Sequence, residues 1–239
     1  MKLANFQALT FDCYGTLIDW EAGIRSHLEP WAAKHGIGKN GAELLSMYAR
    51  LEKTVETANP RMLYPDILAT TLMTMAQQLG RGADEQAAKA FGASIGDWPA
   101  FPDSENALAY LKNHYKLVIL SNVDDASVKR SAARLGNHFD DIVTAQQVGS
   151  YKPNVRNFEV LIERVGKLGV PKSGILHTAQ SLGVDHVPAN AIGLPSAWID
   201  RGRATPGVGA TVPVEKMPRY DFRFPTLEAM ANAHKSGAA

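Results

Sequence analysis

Four short segments of this 239-residue chain carry side chains suited to polar chemistry. Asp12 opens the run Asp12-Cys13-Tyr14-Gly15-Thr16. Ser121-Asn122, then Lys152-Pro153, then Asp185 at the end of Gln180-Ser181-Leu182-Gly183-Val184-Asp185 follow in order. Together they supply two carboxylates, an ammonium, hydroxyls and an amide, the groups used for nucleophilic or general acid–base work on a small molecule. Singly, each also suits a plainer role. A strand-end aspartate caps helices and forms turns, Ser-Asn caps helices, and Lys-Pro is commonly solvated surface. Their joint order and placement favour chemistry.

The elements that must position these groups follow from the hydrophobic pattern. Residues 6–11 read as a short buried strand ending at Asp12, and Gly15 permits a tight turn. Residues 17–36 read as helical, with a break at Pro30. Leu44, Tyr48, Leu51 and Val55 recur at helical spacing, as do Leu68, Leu72, Met75 and Leu79, and a further helix is expected over 84–94. From Trp98 onward strands and helices alternate. Strands are expected at 117–120, 141–144, 175–177 and 197–199, with helices near 104–114, 124–135, 155–167 and 184–192, and a frayed tail over 231–239. The fold class is α/β: a doubly wound, Rossmann-like parallel sheet (residues 1–16 and 96–239) split after its first strand by an inserted helical cap domain (residues 17–95). In such sheets ligands bind beyond the C-terminal strand ends, where all four segments fall.

Composition narrows the partners. The 25 basic and 24 acidic residues leave a net charge of +1, which argues against a nucleic-acid footprint or a polybasic membrane surface. One or two local cations would still suffice for an anionic substrate. The single cysteine, Cys13, fits a reducing compartment and reads as a small buried hydrophobe. Residues 1–11 hold one lysine and no long apolar run, and no stretch reaches the roughly 20 apolar residues of a membrane span. The expectation is a cytoplasmic protein with neither membrane nor nucleic-acid partners.

The segments FDxYGTL at 11–17, LSN at 120–122, YKP at 151–153 and the acidic fourth motif ending at Asp185 span most of the chain in order. In these the sequence resembles the haloacid dehalogenase superfamily, and within it the type II (L-2-haloacid) dehalogenase branch. The resemblance implies that Asp12 is a covalent nucleophile that Lys152 keeps ionised. An ammonium about 4 Å from a carboxylate contributes roughly 4 kcal/mol at an effective dielectric of about 20. It further implies that Thr16 and Ser121 supply hydroxyl donors, that Asn122 offers amide hydrogens to the departing group or the substrate carboxylate, and that Asp185 positions or deprotonates the hydrolytic water.

Two positions bear on the reaction. Phosphatases of the superfamily usually carry a second aspartate two residues after the nucleophile; here Tyr14 stands there. They also use an acidic pair in the fourth motif to hold Mg²⁺, and here the first of that pair is Gln180. Halide needs no proton to leave, so both departures imply a hydrolase without metal or cofactor. It would displace halide from C2 of a short 2-halocarboxylic acid and give a 2-hydroxy acid. Tyr14, Asn122, Trp20, Arg50 and Gln180 are the expected substrate contacts, with Arg50 favoured over Arg61 as the partner of the substrate carboxylate. Phe158 stands where the branch commonly has tyrosine. His177 and His186 read as structural, Trp198 as core, and Asp19 and Glu21 as cap or surface residues. Three alternatives stay open: hydrolytic ring opening of azetidine-2-carboxylate by the same nucleophile, a Mg²⁺-dependent phosphatase with the metal on Asp12 and Asp185, and a non-catalytic binding module. The resemblance also leaves a homodimer open.

Overall fold

The computed structural model describes residues 1–202 and 214–237. Each apolar run becomes a strand: β1 (Ala8–Phe11), β2 (Lys116–Ser121), β3 (Asp141–Thr144), β4 (Ile175–Ala179) and β5 (Ser196–Ile199). A sixth, β6 (Phe222–Phe224), has no counterpart in the sequence reading. All pair in parallel in the order β3-β2-β1-β4-β5-β6. The chain leaves β1 toward β2 and β3, then returns to the other side of β1 as β4, so the winding reverses beside β1. Side-chain alternation divides the interior. Leu9, Phe11, Leu117, Ile119 and Leu176 join the larger core. Ala8, Val118, Leu120, Val143 and Ile175 join a second one on the opposite face, against Phe158, Leu161 and Val165.

Between β1 and β2 the chain forms α1 (Trp20–Lys34), α2 (Gly41–Ala58), α3 (Tyr64–Gln78) and α4 (Glu85–Ala93). Asp19 caps α1 by accepting from the Ala22 backbone, and Asn40 with Glu43 closes a capping box on α2. The expected break at Pro30 does not occur. The ring removes only its own N–H bond, and α1 carries on through it with Leu28, Trp31 and Ala32 buried. Glu21, expected as a cap or surface residue, lies in the first turn of α1 and is buried.

The remaining helices are α5 (Ser104–Lys112), α6 (Asp125–Arg134), α7 (Ala145–Val148), α8 (Val155–Lys167), α9 (Val187–Ala191) and α10 (Leu227–Ser236). A π turn (Leu182–His186) precedes α9, so the helix expected over 184–192 is two unlike pieces. The frayed tail is also corrected. Thr226 caps α10, which buries Leu227, Met230 and Ala231 at i, i+3 and i+4. Residues 238–239 of that expected tail, and 203–213 of the expected core domain, lie outside the described residues. No helix among the described residues is long and apolar enough to cross a membrane.

Candidate active site

Strand ends converge on Asp12. It follows β1 directly, and its backbone N–H donates to the Thr178 carbonyl at the end of β4 (3.1 Å). The turn after it depends on Gly15, whose φ is +98°; a Cβ there would lie 3.2 Å from Trp20 Nε1 and 3.3 Å from Gln180 Oε1. Thr16, one turn on, donates its hydroxyl to Asp12 Oδ2 (2.8 Å) and accepts from the Gln180 backbone N–H (2.9 Å). The turn after β1 and the segment after β4 are thus joined through one hydroxyl.

Lys152 lies between the two aspartates. Its Nζ donates to Asp12 Oδ1 at 2.9 Å, to Asp185 Oδ1 at 2.7 Å and to the Leu120 carbonyl at 3.1 Å, which uses all three ammonium hydrogens. The loop that delivers it passes through a cis Lys152–Pro153 bond. Asn122 clamps that loop: it accepts from the Lys152 backbone N–H (2.6 Å) and donates to the Lys152 carbonyl (3.1 Å).

Asp185 has a second anchor. Parallel pairing sets Thr10 beside His177, so both side chains point to the same face of the sheet. The Thr10 hydroxyl and His177 Nδ1 are 2.9 Å apart, and His177 Nε2 is 3.1 Å from Asp185 Oδ1. An ionised carboxylate only accepts, so Nε2 carries the hydrogen and Nδ1 can accept from Thr10. Phe158 packs edge-on against the imidazole, with centroids 5.2 Å apart. His177 therefore bears on the site, beyond the structural part expected of it. His186 is the structural one, bonded to the Ala179 carbonyl and Ser196.

Charge follows this geometry. Burial raises the Asp185 carboxyl, but Lys152 and His177 outweigh it and hold the pKa at about 2. For Asp12, burial and the charge of Asp185 win over Lys152 and Thr16, and the carboxyl lies above its ordinary value. Burial would lower Lys152, yet the two carboxylates keep it above the usual lysine range. Burial lowers His186 to about 4.

A cavity of 370 Å³ opens over Asp12, and Tyr14, Trp20, Ser121, Asn122, Gln180 and Asp185 all line it. Ser121 Oγ, Trp20 Nε1 and Asp185 Oδ2 are buried without a hydrogen-bond partner among the described residues, which leaves them to serve a ligand. The Tyr14 hydroxyl turns instead to Ser131 (2.8 Å), and burial raises its pKa well above the usual value. Asn122 departs from expectation: its amide hydrogens go to the Lys152 carbonyl and to Glu56 Oε1 (3.3 Å), so its first task is to hold the lysine loop.

Arg50 is corrected. It is exposed, as is Arg61, and no arginine among the described residues lines the cavity. The wall on α2 is instead the stripe Ala49, Glu52, Lys53, Glu56 and Thr57. At about 100° per residue, Arg50 points roughly a quarter-turn from the centre of that stripe, on its outer side beyond Lys53 and Thr57. Tyr64 Oη donates to Glu52 Oε1 (2.8 Å). Sequence reasoning passed over both glutamates. Their signal was a run of residues at i, i+3, i+4, i+7 and i+8 beside the apolar stripe of α2.

Two carboxylates joined by a lysine make a poor Mg²⁺ site. A third carboxylate is missing, since Gln180 offers only a neutral amide oxygen where the resemblance implies an acid, and no cluster of three His, Cys, Asp or Glu side chains among the described residues is arranged to hold a metal.

Comparison with known proteins agrees with this geometry. Residues 6–177 match the family model for haloacid dehalogenase-like hydrolases. The (S)-2-haloacid dehalogenase of Pseudomonas putida is 24% identical over 213 residues, covering 83% of this chain and 86% of that protein. The (S)-2-haloacid dehalogenase 4A of Burkholderia cepacia is 28% identical over 171 residues, covering 68% and 71%. The L-2-haloacid dehalogenase of Xanthobacter autotrophicus, solved with chloropropionic acid covalently bound, superposes with a TM-score of 0.77 at 18% identity, covering 96% of this chain and 98% of that one. With a family match over most of its length and the fold to go with it, this chain belongs to the haloacid dehalogenase-like hydrolases.

Proposed function

We propose that the protein hydrolyses a small 2-substituted carboxylic acid by displacement at C2, with Asp12 as covalent nucleophile and no metal ion, in the manner of an (S)-2-haloacid dehalogenase. The observation that carries this is the buried Asp12–Lys152–Asp185 bridge beneath a small cavity. An aspartate oxygen bonds to C2 as the C2–halogen bond breaks and the halide leaves with the electron pair. Lys152 keeps the attacking carboxylate ionised against its burial, and Thr16 orients it. Water then adds at the Asp12 ester carbonyl. The products are the 2-hydroxy acid, inverted at C2, and the Asp12 carboxylic acid, which loses its proton beside Lys152. With its pKa at about 2, Asp185 is a weak base. Its part is to fix Lys152 and to offer Oδ2 to the incoming water.

The proteins named above support halide as the leaving group, and the donor set at Asp12 and Asp185 speaks against the phosphatase. Azetidine ring opening uses the same displacement with nitrogen leaving. We place the helices over 17–95 as a cap whose α2 forms the substrate wall, and take the protein to be cytoplasmic. The test is single-turnover hydrolysis of 2-chloropropionate in ¹⁸O-water with mass spectrometry of the Asp12 peptide, with and without EDTA. Label in Asp12 and rates indifferent to EDTA are expected. Label only in the lactate, or activity that EDTA abolishes and Mg²⁺ restores, would sink the reading.

A further inference from the structure

The cavity wall on α2 is acidic where a carboxylate substrate calls for a cation. Among the described lining residues Asp12, Glu52, Glu56 and Asp185 face two cations, Lys53 and Lys152. Lys152 is consumed by the two aspartates, and Lys53 is exposed. Glu52 and Glu56 stand one helical turn apart on the same face, so their carboxyls are neighbours. Each is oriented by one protein donor, Tyr64 for Glu52 and Asn122 for Glu56, and neither has an ion pair among the described residues. Asn122 also clamps the Lys152 loop, which ties Glu56 to the nucleophile's surroundings.

Resting on the reading of Asp12 as nucleophile, we propose that Glu52 and Glu56 form a carboxyl pair that binds an ammonium group on the substrate, so that the enzyme's substrate is an amine-bearing 2-substituted carboxylic acid. A plain halo acid brings one negative charge to a wall that already has an excess of them. An amino acid-like substrate brings the missing positive charge, and its carboxylate is left to the buried donors Ser121 and Trp20. The pair holds its protons unusually late. Burial lifts Glu52 to about 7, and burial with the charge of Glu52 lifts Glu56 to about 8, against Lys152 and Lys53. The groups facing the pair are Lys53 and Tyr48 on α2, Tyr64 on α3, and Tyr151 and Lys152 on the loop before α8. Burial and the glutamate charges hold all three tyrosines protonated well beyond this range. Near neutrality the pair thus shares a proton between two carboxyls, as closely set acids do.

Two kinds of substrate carry this chemistry. In one the amine is a bystander. In the other it is a strained ring nitrogen: the C2–N bond breaks as the Asp12 oxygen bonds to C2, the electron pair stays on nitrogen, and the new primary amine takes a proton from the pair.

Calorimetric titration of the full chain with 3-amino-2-hydroxypropanoate and with lactate reads the proposal without relying on turnover. The amino ligand is expected to bind at least about tenfold tighter above about pH 8, with the preference shrinking toward about pH 6 as the pair protonates. Glu52→Gln and Glu56→Gln keep the Tyr64 and Asn122 contacts and should each cut the preference. Lactate binding as tightly as the amino ligand to the unaltered protein at about pH 8, or a preference that survives in both variants, overturns the proposal. Turnover separates the two kinds: 3-amino-2-chloropropanoate as preferred substrate marks a bystander amine, and azetidine-2-carboxylate a departing one. A higher kcat/KM for 2-chloropropionate than for both also overturns it. Should Asp12→Asn leave turnover intact, the nucleophile reading fails while the binding contrast still stands or falls on its own.

Discussion

The two walls of the cavity are built on opposite plans. On the sheet side of the cavity, the lower wall, the charged groups form one connected network: Thr16 to Asp12, Asp12 and Asp185 to Lys152, Asp185 to His177, His177 to Thr10. Thr10, Asp12 and His177 stand on or next to strands whose register the sheet fixes, and the loops that follow β1, β3 and β4 bring in Thr16, Lys152 and Asp185. Opposite them, Glu52, Lys53 and Glu56 sit on one helix with few bonds and a surplus of negative charge. On the proposed reading the contrast separates reaction from recognition. The lower wall would hold one carboxylate ionised and aimed, which displacement at carbon requires. The upper wall would set the charge of what is admitted.

The largest effect should come from cutting the lower wall at its centre. Lys152→Met leaves two aspartates adjacent and buried with no cation between them. Removing one partner of a buried pair typically costs about 3–5 kcal/mol. Denaturant unfolding should show a loss of that order, and at neutral pH Asp12 should take up a proton and turnover should fall below detection. A variant of normal stability and activity would mean that the bridge matters neither to the fold nor to the chemistry.

His177 tests how far the lower wall acts as a unit. His177→Phe keeps the packing on Phe158 but removes the donor to Asp185 Oδ1. Asp185 then rests on Lys152 alone, and its alignment toward water loosens. The expected result is kcat down by roughly 10–100-fold with KM little changed, and ester accumulating on Asp12 by intact mass. His177→Gln, which can still donate, should recover part of the rate. A loss confined to thermal stability, with no ester build-up, would reduce His177 to a packing residue.

Proton linkage sharpens the comparison further, because His186 and Asp185 titrate in the opposite sense to the glutamates of the upper wall. His186 under the lower wall has a folded pKa of about 4, below its unfolded value. Between about pH 6.5 and pH 4 the unfolded chain binds more protons, so this contribution is lost as pH falls through that window. Asp185 adds the same sign lower down, between its ordinary value and about 2. Glu52 and Glu56 behave in reverse. Their folded values of about 7 and about 8 lie above the unfolded ones, so the folded state binds more protons and stability declines as pH rises from about 4.5 through 8. Asp12, raised by burial, shares that sign. Unfolding free energy should therefore peak on the acid side of neutrality and fall by several kcal/mol (roughly 5) toward about pH 9. Glu56→Gln should flatten that decline and leave the acid limb alone. An alkaline limb unchanged by Glu56→Gln would break the assignment of the upper wall.

The walls differed equally in how far the sequence revealed them. Asp12 ends an apolar strand, which aims it along the sheet, whereas Lys152 before a helix and Asp185 in the turn after β4 were legible only through the motifs that carry them. The inserted helices offer no such marker. Periodicity tells which side of α2 is buried, through Leu44, Tyr48, Leu51 and Val55, but not which polar stripe a neighbouring layer will cover. Glu52 and Glu56 therefore look like ordinary solvated acids until the cavity closes over them. His177 was hidden for a related reason: its partner Thr10 belongs to another strand, and only the register brings them together. β6 escaped because three residues with Arg223 at the centre give too short an alternation, and α10 because its apolar positions follow Pro225 so closely.

The smallest expected effect bears on the residue that spacing alone made attractive. Arg50 lies on α2 between Ala49 and Leu51, one residue from the cavity stripe in sequence and roughly a quarter-turn from its centre, beside the exposed Lys53 and Thr57. It is exposed, and a surface cation screened by water contributes at most about 1 kcal/mol to a partner it does not touch. Arg50→Ala and Arg61→Ala should therefore leave kcat/KM for an anionic substrate within about twofold of the unaltered protein, and melting unchanged. A tenfold or greater rise in KM for either would require the arginine to swing into the cavity when substrate binds. That outcome would hand recognition of the carboxylate back to the upper wall, and would leave Glu52 and Glu56 as its counter-ions.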